Sequence, residues 1–151
     1  MPPLVIGCGN ENRGDDAAGL LVVGKLRELG VGAAELTGEG VSLLDLWKGA
    51  RDVILVDAVL TGAEPGAISV WDALKERIPR EVFRCSTHNF GIGDAVELGC
   101  ILGRLPRSLR IYGIEAARFE VGSPPAPAVR EAANRLAAWI ADEFFTSRAG
   151  S

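Results

Sequence analysis

Apolar runs of strand length alternate with amphipathic helical patterns along most of this 151-residue chain. Such alternation is typical of a mostly parallel sheet, because each crossover between parallel strands usually contains a helix that covers one face. Residues 52–58 form the clearest strand pattern, with four consecutive apolar side chains and no period-2 alternation, as expected for a strand buried on both faces. The sequence therefore predicts a single α/β domain over residues 1–145, with a mostly parallel, twisted five-stranded sheet, one antiparallel edge strand and helices on both faces.

The predicted elements follow from this periodicity and from the glycines and prolines that interrupt it. Predicted strands cover residues 4–8, 33–37, 52–58, 67–71 and 108–114, with 67–71 as the antiparallel edge strand. Predicted helices cover residues 15–29, 42–48, 90–105 and 124–145. The first helix is expected to bury Leu20, Leu21, Val23, Leu26 and Leu29. We expect residues 146–151 to form a disordered tail.

Two helix starts carry capping signals. Asp15 is suited to accept the unpaired amides of the first helical turn, and Ser42, followed by Asp45, is suited to begin the second helix. Both are therefore predicted to be N-caps.

Composition narrows the partners and the compartment. A net charge of −4 and a pI of about 5.1 disfavour nucleic acid, and neither a signal-peptide pattern nor a run of membrane-spanning length occurs. Cys8, Cys85 and Cys100 are widely separated, which argues against a disulfide framework or a zinc cluster and favours buried thiols in a reducing setting. We expect a cytoplasmic monomer without membrane insertion.

Three candidate functional groups converge on one edge of the predicted sheet. Asp16 follows the first strand, Asp57 closes the third, and His88, the single histidine, precedes a helix. Each alone has a structural explanation, as a carboxylate in a first helical turn, an acceptor for loop amides or a capping residue. Their coincidence at the carboxyl ends of parallel strands, where α/β proteins bind ligands, favours a functional site.

One imidazole and two carboxylates form a mixed nitrogen and oxygen ligand set. Such a set suits nickel, zinc, manganese or iron and leaves coordination positions open. Open positions are needed if the metal arrives on another molecule or carries a reactive water.

Other catalytic and binding patterns match less well. Ser86 and Thr87 adjoin His88 in sequence and no G-x-S-x-G elbow occurs, so a Ser-His-Asp hydrolase is disfavoured. The first loop lacks the third glycine of a dinucleotide fingerprint, since position 12 is Asn, and its acidic pair disfavours a phosphate.

An ordered series of short motifs resembles the hydrogenase maturation endopeptidases of nickel-iron hydrogenases. The motifs are Gly7-Cys-Gly-Asn10, Gly14-Asp-Asp16 with Gly19, Val56-Asp57-Ala58, Pro65-Gly66, Ser86-Thr-His-Asn89 and Gly113-Ile-Glu115. They span nearly the whole chain, from about residue 4 to 140.

The resemblance implies an endopeptidase that removes a C-terminal extension from the precursor of a hydrogenase large subunit after nickel insertion. It implies that Asp16, Asp57 and His88 are the catalytic, nickel-contacting residues and that the substrate carries the nickel. The metal would either polarise the scissile carbonyl or its water, or only position the peptide while a carboxylate acts as general base.

Two positions depart from the family pattern. Some members have glutamate where this chain has Asp16. The glycine-rich segment after the second strand often begins with aspartate, whereas here it reads Thr37-Gly-Glu-Gly40, so that Gly38, Glu39 and Gly40 are the implied substrate-binding residues. A non-enzymatic nickel carrier or scaffold for hydrogenase maturation and a nucleotide-binding module remain as alternatives.

Overall fold

A five-stranded sheet in the order β2-β1-β3-β5-β4 organises the chain. The computed structural model describes residues 2–10, 14–37, 40–83, 91–117, 119 and 121–145. The strands are β1 (Leu4–Cys8), β2 (Ala34–Leu36), β3 (Asp52–Val59), β4 (Ile68–Asp72) and β5 (Ser108–Glu115). All neighbouring strands pair in parallel except β4, which runs antiparallel to β5 at the edge. This arrangement confirms the predicted fold class.

Helices cover both faces of the sheet. They are α1 (Ala18–Glu28), α2 (Ser42–Leu46), α3 (Ile92–Leu102) and α4 (Pro127–Ile140), and a π-helical turn, Ala141–Phe145, extends α4. Short 3-10 turns occupy Gly14–Ala17 and Arg80–Val82. Helices α1 and α4 pack on one face, and α2 and α3 on the other.

The central strand β3 contributes to both cores, as its unbroken apolar run predicts. Ile54 and Val56 pack under α1 and α4, whereas Val53 and Leu55 pack under α2 and α3. The stripe predicted on the last helix, Val129, Ala133, Leu136, Ala137 and Ile140, is buried. Among the described residues, no helix is long and apolar enough to cross a bilayer.

Several local predictions were wrong. The first helix begins at Ala18, because residues 14–17 form a tighter 3-10 turn, and it ends at Glu28, which leaves Leu29 46% exposed. Ser42 is already helical and is not the N-cap of α2; the cap position is Val41, without a side-chain hydrogen bond. Cys8 is buried as expected, but Cys100 lies on the exposed side of α3.

The connections leave the sheet in opposite directions at β1 and β3. From β1 the chain crosses through α1 to β2 on one side, whereas β5 and β4 lie beyond β3 on the other. Such a reversal opens a crevice between the carboxyl ends of the two central strands, which is the usual ligand position in open α/β sheets.

Candidate active site

Two glycines, Gly9 after β1 and Gly19 in the first turn of α1, allow this part of the chain to approach the two central strands. A Cβ atom on Gly9 would collide with the backbone oxygen of Asp16, and one on Gly19 would collide with the backbone oxygens of Cys8 in β1 and Val56 in β3. The amide of Asn10 donates a hydrogen bond of 3.1 Å to the Asp16 carbonyl. The turn carrying Asp16 is therefore packed directly against the crevice.

Asp16 and Asp57 lie at this crevice and are both buried. Asp16, in the 3-10 turn after β1, is 1% exposed, and Asp57, near the carboxyl end of β3, is fully buried. The turn contacts β3, and Asp57 Oδ1 accepts the amide of Ala58 at 2.8 Å. The structure therefore brings the elements carrying these two predicted residues together.

His88 lies outside the described residues, so its predicted role stays a prediction. The described residues on either side of that segment are Phe83 and Gly91. Phe83 forms an antiparallel bridge with Val59, the last residue of β3, and Gly91 precedes α3. The segment that contains His88 therefore begins directly after a residue paired with the carboxyl end of β3, the strand that carries Asp57.

Asp15 does not have the predicted capping role. The N-cap position of α1 is Ala17, which makes no side-chain capping hydrogen bond. The fully buried Asp15 carboxylate instead accepts the amides of Ala117 and Ala126, each at 2.6 Å. A 3-10 turn separates Asp15 from α1, and the two bonds connect the first loop to the segment between β5 and α4.

Glu115 is a structural residue whose role the sequence analysis did not identify. Its carboxylate, in a residue only 2% exposed, accepts the amide of Thr61 at 2.9 Å, the Thr61 hydroxyl at 2.5 Å and the amide of Gly62 at 3.3 Å. These bonds fix the loop after β3. Glu115 ends an apolar strand much as Asp57 does, and this position was the sequence signal that could have identified it.

The predicted substrate-binding segment is only partly described. Gly38 and Glu39 lie outside the described residues. Gly40 is buried, and its carbonyl accepts the amide of Leu43 at 2.9 Å in the first turn of α2. Its contact with a substrate is not tested by these bonds and stays a prediction.

The chemistry of the crevice follows from its buried carboxylates. Moving a carboxylate out of water is costly unless a cation or hydrogen-bond donors compensate it, so Asp16 and Asp57 suit a cationic group or a proton. Within the described ranges, no three His, Cys, Asp or Glu side chains are grouped so that they could hold a metal ion. Those ranges do not include His88, the predicted third ligand.

Comparison with known proteins identifies the class to which this fold and crevice belong. A family model described as hydrogenase maturation protease matches residues 37–143. The chain belongs to the hydrogenase maturation protease family, and it is accordingly a hydrolase of the endopeptidase type. This confirms the resemblance and disfavours the non-enzymatic and nucleotide-binding alternatives.

Solved structures of the same kind share the fold. The nickel-iron hydrogenase maturation protease HycI from Thermococcus kodakarensis is 28% identical, with 93% of this chain and 90% of that chain covered and a TM-score of 0.70. HybD from the same organism is 26% identical, with coverage of 95% and 98% and a TM-score of 0.72. The hydrogenase maturating endopeptidase HybD from Escherichia coli, 21% identical over 95% and 93%, supports the fold with a TM-score of 0.70. A sequence comparison with curated proteins found no match.

Proposed function

We propose that this endopeptidase removes a C-terminal extension from the large-subunit precursor of a nickel-iron hydrogenase after nickel insertion. In this proposal Asp16, Asp57 and His88 contact nickel that the precursor carries, and Gly38, Glu39 and Gly40 face the substrate. The observation that carries the proposal is the burial of two carboxylates, Asp16 and Asp57, at the switch-point crevice of a chain in this family.

The donor set of the crevice is consistent with a cation supplied by the substrate. Carboxylate oxygens and an imidazole nitrogen are ligands that nickel accepts. Three protein ligands leave coordination positions for the precursor's own groups. The buried carboxylates also provide the negative charge that would attract a nickel-loaded precursor in preference to a nickel-free one.

The proposed reaction is hydrolysis of one peptide bond. The oxygen of a water molecule bonds to the scissile carbonyl carbon, the C–N bond breaks, and a proton from the water passes to the departing nitrogen. Nickel on the precursor would polarise the carbonyl or the water. Asp16, Asp57 and His88 would hold that centre in the crevice, and the Ala58 amide would help to fix the Asp57 carboxylate through its hydrogen bond to Oδ1.

The test compares nickel-loaded and nickel-free precursor. Purified protein is mixed with each form of a nickel-iron hydrogenase large-subunit precursor, and loss of the C-terminal peptide is followed by mass spectrometry. We expect cleavage of the nickel-loaded form alone. Equal cleavage of both forms would contradict the role of nickel, and cleavage of neither would contradict the proposed substrate.

His88→Ala tests the third proposed ligand. We expect this variant to fold normally and to lose processing, with Cys100→Ala, at an exposed position of the following helix α3, as the control. If the His88→Ala enzyme processes the precursor at the native rate, His88 is not part of the site.

A further inference from the structure

An apolar groove of about 890 Å³ lies at the β4 edge of the sheet, two strands away from β3. Ile68 and Val70 of β4, Tyr112 of β5, and Leu136 and Trp139 of α4 contribute apolar surface to it. Val70 is 54% exposed, Trp139 44% and Ile68 41%. Large apolar side chains grouped on one surface are typical of interaction sites, whereas isolated ones are not informative.

The backbone of β4 is open along the same groove. The Ala67 carbonyl accepts the amide of Glu115 at 2.8 Å, and the Ala73 amide donates to the Leu109 carbonyl at 2.9 Å. Since the backbone groups of alternate residues point to opposite sides of an antiparallel strand, the odd-numbered residues of β4 face β5. The amides and carbonyls of Ile68, Val70 and Asp72 therefore point away from the sheet.

The outward backbone groups of Asp72 are hydrogen-bonded within the described part of the chain, whereas those of Ile68 and Val70 are not. The outward amide of Asp72 donates to the Glu76 carboxylate at 2.9 Å, and its carbonyl accepts the amides of Lys75 and Glu76. No described residue provides equivalent partners for the outward groups of Ile68 and Val70. An unpaired strand edge of this kind can accept another strand.

Two arginine side chains of the groove are available to an acidic occupant. Arg110 and Arg135 line it, and neither guanidinium makes an ion pair or hydrogen bond with any described residue. The two carboxylates that also line the groove already have partners, because Asp72 accepts the amide of Leu74 at 3.0 Å and Glu76 accepts that of Asp72. The four charges of the lining balance, but only the two guanidinium groups lack a partner among the described residues, so they can pair with carboxylates of a ligand.

We propose that β4 docks an extended segment of the precursor polypeptide, which adds to the sheet as a sixth strand. The segment would have apolar side chains at alternate positions, to fill the groove, and carboxylates that pair with Arg110 and Arg135. This inference rests on the proposed function for the identity of the partner. Strand addition supplies affinity through main-chain hydrogen bonds and selectivity through alternate side chains.

The position of β4 relates this docking strand to the crevice. Ile68 pairs with Ile114 near the carboxyl end of β5, on the same edge of the sheet as Asp57. A strand added outside β4 lies three strand spacings from β3, roughly 14 Å. A docked segment could thus hold the precursor while a different segment of it enters the crevice.

Val70→Pro and Arg135→Glu test the proposal with the full-length protein. Proline at position 70 removes an outward amide without removing a hydrogen bond to β5, and glutamate at position 135 reverses one groove charge. We expect each variant to bind the nickel-loaded precursor about tenfold more weakly in a calorimetric titration. Arg130→Glu, on an exposed side of α4 outside the groove, is the matched charge control and should bind like the native protein.

Hydrogen exchange provides a second measurement that does not depend on how the variants fold. In the native complex, the amides of Ile68 and Val70 should become protected, whereas the amide of Gly32, an exposed residue before β2 at the other edge of the sheet, should not. Native affinity in both variants, or unchanged exchange at both amides, overturns the docking proposal even if cleavage is normal. Binding with these effects but without cleavage would overturn the proposed function and leave the docking surface in place.

Two other occupants would also be detected. A dimer that Val70→Pro dissociates in sedimentation would show that a second copy occupies β4, and would overturn the proposal. The same conclusion would follow if a protein ending at Phe145 bound the precursor tenfold more tightly, since residues 146–151 would then be the competing occupant.

Discussion

Two kinds of buried carboxylate lie close to one another at the carboxyl edge of the sheet. Asp15 and Glu115 accept hydrogen bonds from backbone amides of the segments that border the crevice, namely Ala117 and Ala126 for Asp15 and the residues after β3 for Glu115. Asp16 and Asp57 are equally buried, but they lie on the turn after β1 and on β3, the two elements beside the switch point. Asp15 and Glu115 are suited to fix the segments around the site, and Asp16 and Asp57 are suited to take part in the reaction.

Removing charge from the second pair should produce the largest effect on activity. We expect Asp16→Asn and Asp57→Asn each to slow precursor cleavage by about a thousandfold, the scale for loss of a directly acting group. The free energy of unfolding should stay the same or rise by about 1 kcal/mol, since a buried amide costs less than a buried charge. Cleavage rates and urea denaturation measure the two quantities.

Asp52→Asn is the matched control because it lies on the same strand at the opposite edge of the sheet. Its cleavage rate should be native. If Asp57→Asn lowers the free energy of unfolding by as much as it raises the activation free energy of cleavage, Asp57 has a structural role like those of Asp15 and Glu115.

Removing the Asp15 carboxylate should instead reduce stability. Asp15→Ala eliminates two short, charge-assisted hydrogen bonds and leaves the amides of Ala117 and Ala126 without these acceptors, which should lower the free energy of unfolding by about 3–5 kcal/mol. Asp15→Asn keeps one acceptor oxygen and should lose about half as much. Denaturation of both variants, measured beside Asp45→Ala on the exposed side of α2, gives the comparison. Native stability in Asp15→Ala would show that the two bonds contribute nothing.

The close approach of the first turn can be tested with two glycines of the same helix. Gly19→Ala places a methyl group against the backbone of both central strands and should cost about 3 kcal/mol of stability and most of the activity. Gly24→Ala meets nothing within 4 Å and should stabilise the protein by about 0.5–1 kcal/mol. Similar melting temperatures for the two variants would contradict the packing described here.

The sequence predicted the sheet because long-range order follows from periodicity. Five strands, an antiparallel edge strand predicted at residues 67–71 and observed at Ile68–Asp72, and the position of Asp16 and Asp57 at one edge of the sheet were all accessible from apolar patterns and the ends of strands. These features depend on hydrophobic burial summed over many residues, so small local errors do not alter them.

The roles of Asp15 and Glu115 could not be predicted in the same way. The acceptors and donors are separated by 102 and 111 residues for Asp15 and by 54 for Glu115 and Thr61. Capping rules use only neighbours in sequence, so they assigned Asp15 to the helix that follows it. The 3-10 turn that redirects this side chain results from tertiary packing against β1 and β3, which no local pattern contains.

The smallest expected effect separates the hydroxyl and backbone contributions to the Glu115 interaction. Thr61→Ala removes the hydroxyl hydrogen bond but keeps the backbone amides of Thr61 and Gly62 as donors to the carboxylate, so it should lower stability by about 1 kcal/mol. Glu115→Ala removes all of these bonds and should cost several times more. If the two variants have equal stability, the hydroxyl carries the interaction and the loop after β3 is not held through its backbone. If Thr61→Ala is native in stability but slow in cleavage, the loop acts on the substrate and belongs with Asp16 and Asp57.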